Sequence, residues 1–197
     1  MKAHGIMFHH FHNDRHIKGQ GSISNEQLEK MIEYIGRKNI LSADEWYERA
    51  VNNKLKETDL CITLDDGLKC QFDVAYPVFK YYGITAFWFV YSSPFQGELE
   101  WLEVYRYFRF SNFEDIDDFY NEFFSYLKLT DYKHEILKEM ENFIPSQHLS
   151  DFPFYTDNDR TFRYIRDEVL GPERYHHVMK LMLRDYKVDL LNLKDGL

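Results

Sequence analysis

Thr63-Leu64-Asp65-Asp66-Gly67 is the stretch of this sequence best suited to chemistry. It closes an apolar run, Leu60 to Leu64, that reads as a buried strand. Two adjacent carboxylates at the carboxyl end of a parallel strand stand where α/β enzymes assemble their sites. Neighbouring residues of an extended chain point in different directions. One carboxylate can therefore hold a metal ion while the other faces a nucleophilic water, the division of labour that metal-assisted hydrolysis requires. Gly67 lets the backbone turn sharply beside them. Taken alone, the same residues also read as a solvated Asp-Asp-Gly turn.

A second constellation precedes the first. His9-His10-Phe11-His12, with His4 and His16, puts five histidines within 13 residues. On an extended chain His10 and His12 share a face, just after a first strand. Such a pair can ligate metal, or it can belong to a polar loop whose histidines hydrogen-bond locally or line a cleft. The H-x-H pattern is similar to that of amidohydrolases and histidinol-phosphatase-like phosphoesterases, where it binds metal. The further His, Lys or Asp ligands those families need on later strands have no placement here. Two more segments, Tyr105 to Arg109 and Arg160 to Arg166, mix basic and aromatic residues. Such mixtures can stack on bases or on sugar rings. We read them as amphipathic helices that pack aromatics inward and lay arginine stems over the core. His176 and His177 cannot share a helix face and read as surface residues.

The elements that must position these groups follow from pattern. Residues 3–8 read as a first strand, bounded by the polar run His9 to Gln20. Ser24-Asn25-Glu26-Gln27 has capping-box form, and Leu28, Met31, Ile32 and Ile35 make one apolar helix face that ends at Gly36. A second box, Ser42-Ala43-Asp44-Glu45, opens another helix. A helix over about 69–82, ending at Gly83, then leads to Ile84 to Tyr91, a continuous β-branched and aromatic run typical of a strand covered on both faces. Strand, helix and strand across 60–91 predict a βαβ unit with parallel pairing and a right-handed crossover. From Glu98 the signals are mainly helical, with an acidic helix start at 114–118, an aromatic stripe through Phe119, Tyr120, Phe123, Phe124 and Leu127, and helices over about 160–169 and 172–185.

Thr63 to Gly67, followed by Pro77-Val78-Phe79-Lys80-Tyr81-Tyr82-Gly83-Ile84-Thr85-Ala86-Phe87-Trp88-Phe89-Val90, resembles the opening of the polysaccharide deacetylase (NodB-homology) family. That family carries a T-[FY]-D-D-G motif, a helix, a K-x-x-G-I-x-A-T-F-F-V-like stretch and a second strand. Leu64 replaces the usual aromatic residue, and Trp88 sits one step from a common Phe. The resemblance is specific over 60–91 and implies an α/β fold, part of a distorted (β/α) barrel with a large helical insertion. It implies an N-terminal part of that barrel over 1–97 and a mainly helical insertion or extension over 98–197. It implies metal-dependent removal of an acetyl group from a sugar or glycan, with Asp65 as general base, Asp66 as ligand to zinc or a similar divalent metal, and a histidine that protonates the leaving amine. His10 and His12 would line the site. The family's H-[ST]-x-x-[HS] metal motif and its later motifs do not occur here: after residue 91 the histidines are His134, His148, His176 and His177. The simplest expectation is that the chain is the N-terminal portion of a longer deacetylase. The alternatives are an H-x-H metallohydrolase and a non-catalytic interaction module.

Composition bounds these readings. The chain has 197 residues, enough for one large domain or two small ones. With 17 Phe, 15 Tyr and 3 Trp it has the makings of a core. Lys plus Arg is 24 against 33 Asp plus Glu, a formal charge of −9, which argues against a general nucleic-acid binder. No 18-residue apolar stretch and no signal-like N-terminus occur, so a membrane partner is not expected and a cytoplasmic location is. Cys61 and Cys70 read as two reduced, partly buried thiols. The apolar strand over 84–91 is expected to leave an open sheet edge that invites self-association.

Overall fold

In the computed structural model of the chain, residues 3–190 are described; the last residues of the helical insertion or extension expected over 98–197 lie outside them. They fall into two compact units, 3–100 and 101–190.

The first unit is built on three parallel strands, β1 (His4–Phe8), β2 (Leu60–Leu64) and β3 (Phe87–Trp88), in the order β1-β2-β3. β2 is central, and Cys61, Ile62 and Leu64 are buried as the apolar pattern requires. The register pairs Phe8 with Leu64 and Leu64 with Trp88, so the three strands end level with one another. Helices α1 (Asn25–Ile35), α2 (Ala43–Val51) and α3 (Tyr76–Tyr82) complete the unit, with a π-helical turn, Gln71–Ala75, leading into α3. α1 and α3 pack together, and α2 packs against β2. Leu28 and Ile32 of α1, Val78 and Phe79 of α3, and Phe8, Phe11, Ile62 and Leu64 form one apolar core.

The capping box at Ser24 forms in full. Its hydroxyl accepts from the Gln27 N–H, and its own N–H donates to Gln27 Oε1 at 2.8 Å. At Ser42 only the first half forms, with the Glu45 N–H donating to the hydroxyl at 3.2 Å. α3 ends at Gly83 in the left-handed region, and Arg37 donates to the carbonyls of Tyr82 and Gly83, both at 2.6 Å.

The long strand expected over 84–91 is much shorter. β3 has two residues, extended only by the Phe89 N–H donating to Leu64 O at 2.8 Å. Phe89 and Val90 are each 56% exposed. The continuous apolar run therefore does not mark a strand covered on both faces. Among the described residues β3 is an edge strand, so its ladder is satisfied on one side. Cys61 and Cys70 are buried and form no disulfide, and burial pushes the Cys61 thiol up.

The second unit is helical: α4 (Trp101–Asn112), α5 (Ile116–Leu127), α6 (Lys133–Met140), α7 (Asp157–Tyr164) and α8 (Gly171–Asp185), with a π-helical segment, Ile165–Leu170, between α7 and α8. Asp115 caps α5 by accepting from the Asp117 N–H. Of the stripe, Phe119, Tyr120, Phe123 and Leu127 are buried as their spacing predicts, whereas Phe124 is half-buried; Phe119, Tyr120 and Phe123 meet Phe162. Buried Arg160 draws the 148–155 loop in, donating to the carbonyls of His148, Phe152 and Tyr155. His176 is not the surface residue its pattern suggests. Its ring meets Trp101 edge-on at 4.8 Å and its Nδ1 contacts the Tyr105 hydroxyl; burial, then Lys180, holds its pKa low. No helix among the described residues is long and apolar enough to cross a membrane.

Candidate functional site at the strand ends

Level strand ends place His9 and Asp65 each one residue beyond its strand, side by side in the parallel register. Asp66 and Gly67 both take positive φ, 76° and 65°. For glycine this is free of penalty, whereas for aspartate it costs on the order of 1 kcal/mol. Gly67 is further constrained by space. A Cβ there would lie 3.1 and 3.2 Å from the Val90 methyl groups. The turn thus sets consecutive carboxylates on differently directed backbone, and a side chain at its third residue would have to displace Val90 and hold a positive φ.

The turn brings Asp66 Oδ2 into direct contact with His9 Nε2. The Asp66 side chain is 14% exposed and that of His9 41%, so the pair sits at the surface end of the sheet. The His10 ring stacks on that of His9 with centroids 4.4 Å apart and planes 17° from parallel. Asp65 is half-buried, and among the described residues no side chain hydrogen-bonds its carboxylate.

Gln71 anchors the arrangement from below. It is fully buried, and its Nε2 donates to His9 O at 2.8 Å and to Asp65 O at 2.5 Å. One amide therefore ties the residue after β1 to the residue after β2. Its Oε1 is buried without a hydrogen-bond partner. A second tether runs beside it, with buried His16 bonding Asp73 Oδ2 at 2.9 Å and Lys69 meeting the same oxygen at 2.5 Å. Lys69, then His16, holds the Asp73 carboxyl below the usual carboxylate range against a smaller opposing effect of burial.

The structure thus brings Asp66 and His9 together, with Asp65 beside them and His10 stacked behind His9. His12 is engaged within its own loop. His12 Nδ1 bonds Ser22 Oγ at 3.0 Å, and that hydroxyl also bonds both the N–H and the carbonyl of Gly19. For His12 this is local hydrogen bonding of the kind a polar loop provides. Sequence pattern counted His9 as one of the histidine run. The signal that picks it out is positional, since it is the first residue after β1 as Asp65 is the first after β2. Gln71 carries no motif signature; its role follows from the π-helical turn that drives its side chain inward.

Asp66 and His9 offer a carboxylate oxygen and an imidazole nitrogen at one point, donors of the kinds zinc takes. The residues present therefore fit a divalent cation as part of its ligand set.

No protein-family model matches the chain, and no curated protein matches it. Among solved structures the chain is similar to a de-N-acetylase from Aggregatibacter actinomycetemcomitans, at 21% sequence identity and a TM-score of 0.37. The likeness covers 44% of this chain and 36% of that one, so the chain spans little more than a third of the length of the solved structure it matches.

Proposed function

We propose that the first unit carries the acid–base and metal-holding part of a deacetylase-type hydrolase acting on an acetylated sugar or glycan, and that its sheet is the opening of a distorted (β/α) barrel. The observation that carries this reading is the contact of Asp66 with His9 at the end of the central parallel strand, with Asp65 beside it. The Thr63-to-Gly67 motif and the Lys80-to-Val90 stretch, similar to the polysaccharide deacetylases, supply the substrate class.

In this proposal Asp66 and His9 hold a divalent cation, zinc or one like it, through Oδ2 and Nε2. When bound, the cation supplies a Lewis acid and makes water a nucleophile near neutral pH. Asp65 takes the proton of the attacking water at its carboxylate, which no described side chain hydrogen-bonds. His10, stacked on His9, would line the site and serve as proton donor to the leaving amine. Gln71 keeps the two strand ends in register by holding both backbone carbonyls.

Metal retention tests the assignment. The chain is equilibrated with zinc, dialysed and assayed for bound metal. Wild type and Asp65→Asn are expected to keep it, whereas Asp66→Ala and His9→Ala lose it. Equal retention in Asp66→Ala removes that residue from the ligand set and with it the reading. A catalytic zinc usually takes three protein ligands, and Asp66 and His9 are two. Turnover of an acetylated chitooligosaccharide by residues 1–197 with added zinc is therefore expected to be absent.

A further inference from the structure

The two basic–aromatic segments converge within the second unit. Arg109 of α4 lies over two rings, with its guanidinium carbon 4.8 Å from the Phe110 centroid and 5.6 Å from that of Phe119. Arg166 lies over Phe162 at 5.6 Å, and Phe119 and Phe162 meet edge-on at 5.5 Å. Arg163, one turn before Arg166, covers Tyr155 at 4.2 Å. Two guanidinium groups thus rest on one aromatic cluster, and a third, one turn away on the same helical segment as Arg166, rests on Tyr155.

Two of these charges, on Arg109 and Arg163, are poorly matched inside the protein, while Arg166 is paired with Asp167. The Nε atoms of Arg109 and Arg163 are buried without a hydrogen-bond partner. Among the described residues no carboxylate pairs with either side chain. The nearby acids are engaged. Asp167 takes a two-point contact from Arg166 at 2.6 and 2.7 Å, and Asp159 accepts from the Tyr120 hydroxyl at 2.5 Å while closing the capping box of α7. The Tyr175 hydroxyl, on a residue 6% exposed, has no hydrogen-bond partner among the described residues. The Tyr175 ring meets that of Phe162, on which Arg166 rests, with centroids 6.2 Å apart. Burial raises the Tyr175 pKa to about 12, against the pull of Arg109 and Arg166. Burial likewise lowers the pKa of Arg109.

Ring stacking recovers only part of what desolvating an unpaired cation costs. An anion that accepts from these guanidinium groups would supply the rest, since guanidinium forks match phosphate and carboxylate oxygens two at a time. We propose that Arg109, Arg163 and Arg166, with the Tyr175 hydroxyl, form a binding site for the phosphate or carboxylate group of a small anionic metabolite. The formal charge of −9 selects a small ligand over a nucleic-acid backbone, which a chain this acidic repels. The site lies within the helical unit and does not depend on the chemistry at the strand ends.

Calorimetric titration of the full chain at low ionic strength tests it, with inorganic phosphate, pyrophosphate and acetate as separate probes. Saturable binding of at least one probe is expected, weakened by added salt. Tighter binding of phosphate or pyrophosphate identifies a phosphoryl ligand, and acetate binding as well as either identifies a carboxylate. Arg109→Gln and Arg163→Gln should each weaken binding roughly tenfold, with Arg163→Lys losing less because it keeps the charge. Asp66→Ala should leave binding unchanged, so failure of the hydrolase reading and failure of this one are separable. Should a glutamine variant fail to fold, the rise in Tm that saturating probe gives wild type decides. A smaller rise in Arg163→Lys supports the site and an equal rise overturns it. Absence of saturable heat with all three probes, or binding lost in Asp66→Ala instead, also overturns it.

Discussion

The two units place charged groups by different means. At the strand ends, backbone does the placing. Level parallel strands set His9 beside Asp65, positive φ at Asp66 and Gly67 turns the carboxylates, and the Gln71 amide locks the two loops through carbonyl oxygens. In the helical unit, side-chain packing does it. Arg109, Arg163 and Arg166 stand where aromatic faces support them, and those faces are held by a core of rings. A backbone-built site should tolerate changes in the surrounding apolar residues and fail on a single added methyl group. A packing-built site should do the opposite.

The largest expected effect follows from the second half of that contrast. Phe162 is 1% exposed and meets Phe119, Tyr120, Phe123 and Tyr175. Phe162→Ala should cost about 3–5 kcal/mol, by lost transfer free energy and the cavity left behind. Urea unfolding followed in the helical unit measures it. A loss below about 1 kcal/mol would mean that the rings do not carry the unit. Gly67→Ala makes the complementary test. The methyl group meets Val90 and the residue must hold φ at 65°, which together should cost about 1–3 kcal/mol. The same variant should separate His9 from Asp66, visible as a changed His9 ring resonance. Gly67→Ala with an unmoved His9 signal would show that the pair does not depend on the turn.

The contrast also explains what could be read from sequence. Asp65-Asp66-Gly67 was legible because the features that place it are local: an apolar strand, a breaker and a glycine within eight residues. β2 and the Ser24 cap were legible for the same reason. The His9–Asp66 contact spans 57 positions and exists only through the β1–β2 register, so the H-x-H pattern drew attention to His10 and His12 instead. The run 84–91 has strand composition, but β-propensity measures fit to a half-buried pleated surface. Here the ladder stops at Phe87 and Trp88 and one further bond from the Phe89 N–H. In the helical unit the periodicity of α5 revealed its buried stripe, since one helix face is a local property. The meeting of 105–109 with 160–166 is a tertiary contact that no spacing encodes. His176 looked exposed for that reason, since Trp101 and Tyr105 cover it from a different helix.

The smallest effect expected lies in the polar tether beside the strand ends. Asp73 accepts from Lys69 and pairs with His16, joining the loop after β1 to the turn after β2. Lys69, then His16, lowers its folded-state pKa, so the folded protein resists protonating it more than the unfolded chain does. The stability this contributes is fully present above the ordinary aspartate value of about 3.9 and is lost as pH falls through the lowered folded value. Asp73 is partly exposed, and solvent screens its pairs, so the contribution should stay below about 1 kcal/mol. Thermal melts of wild type and Asp73→Asn between about pH 3 and pH 6 measure it. The wild type should lead at the upper end and the two should converge at the lower. Parallel curves across that range would show that the tether holds by hydrogen bonding alone, in which case its charge adds nothing to the register that Gln71 already secures.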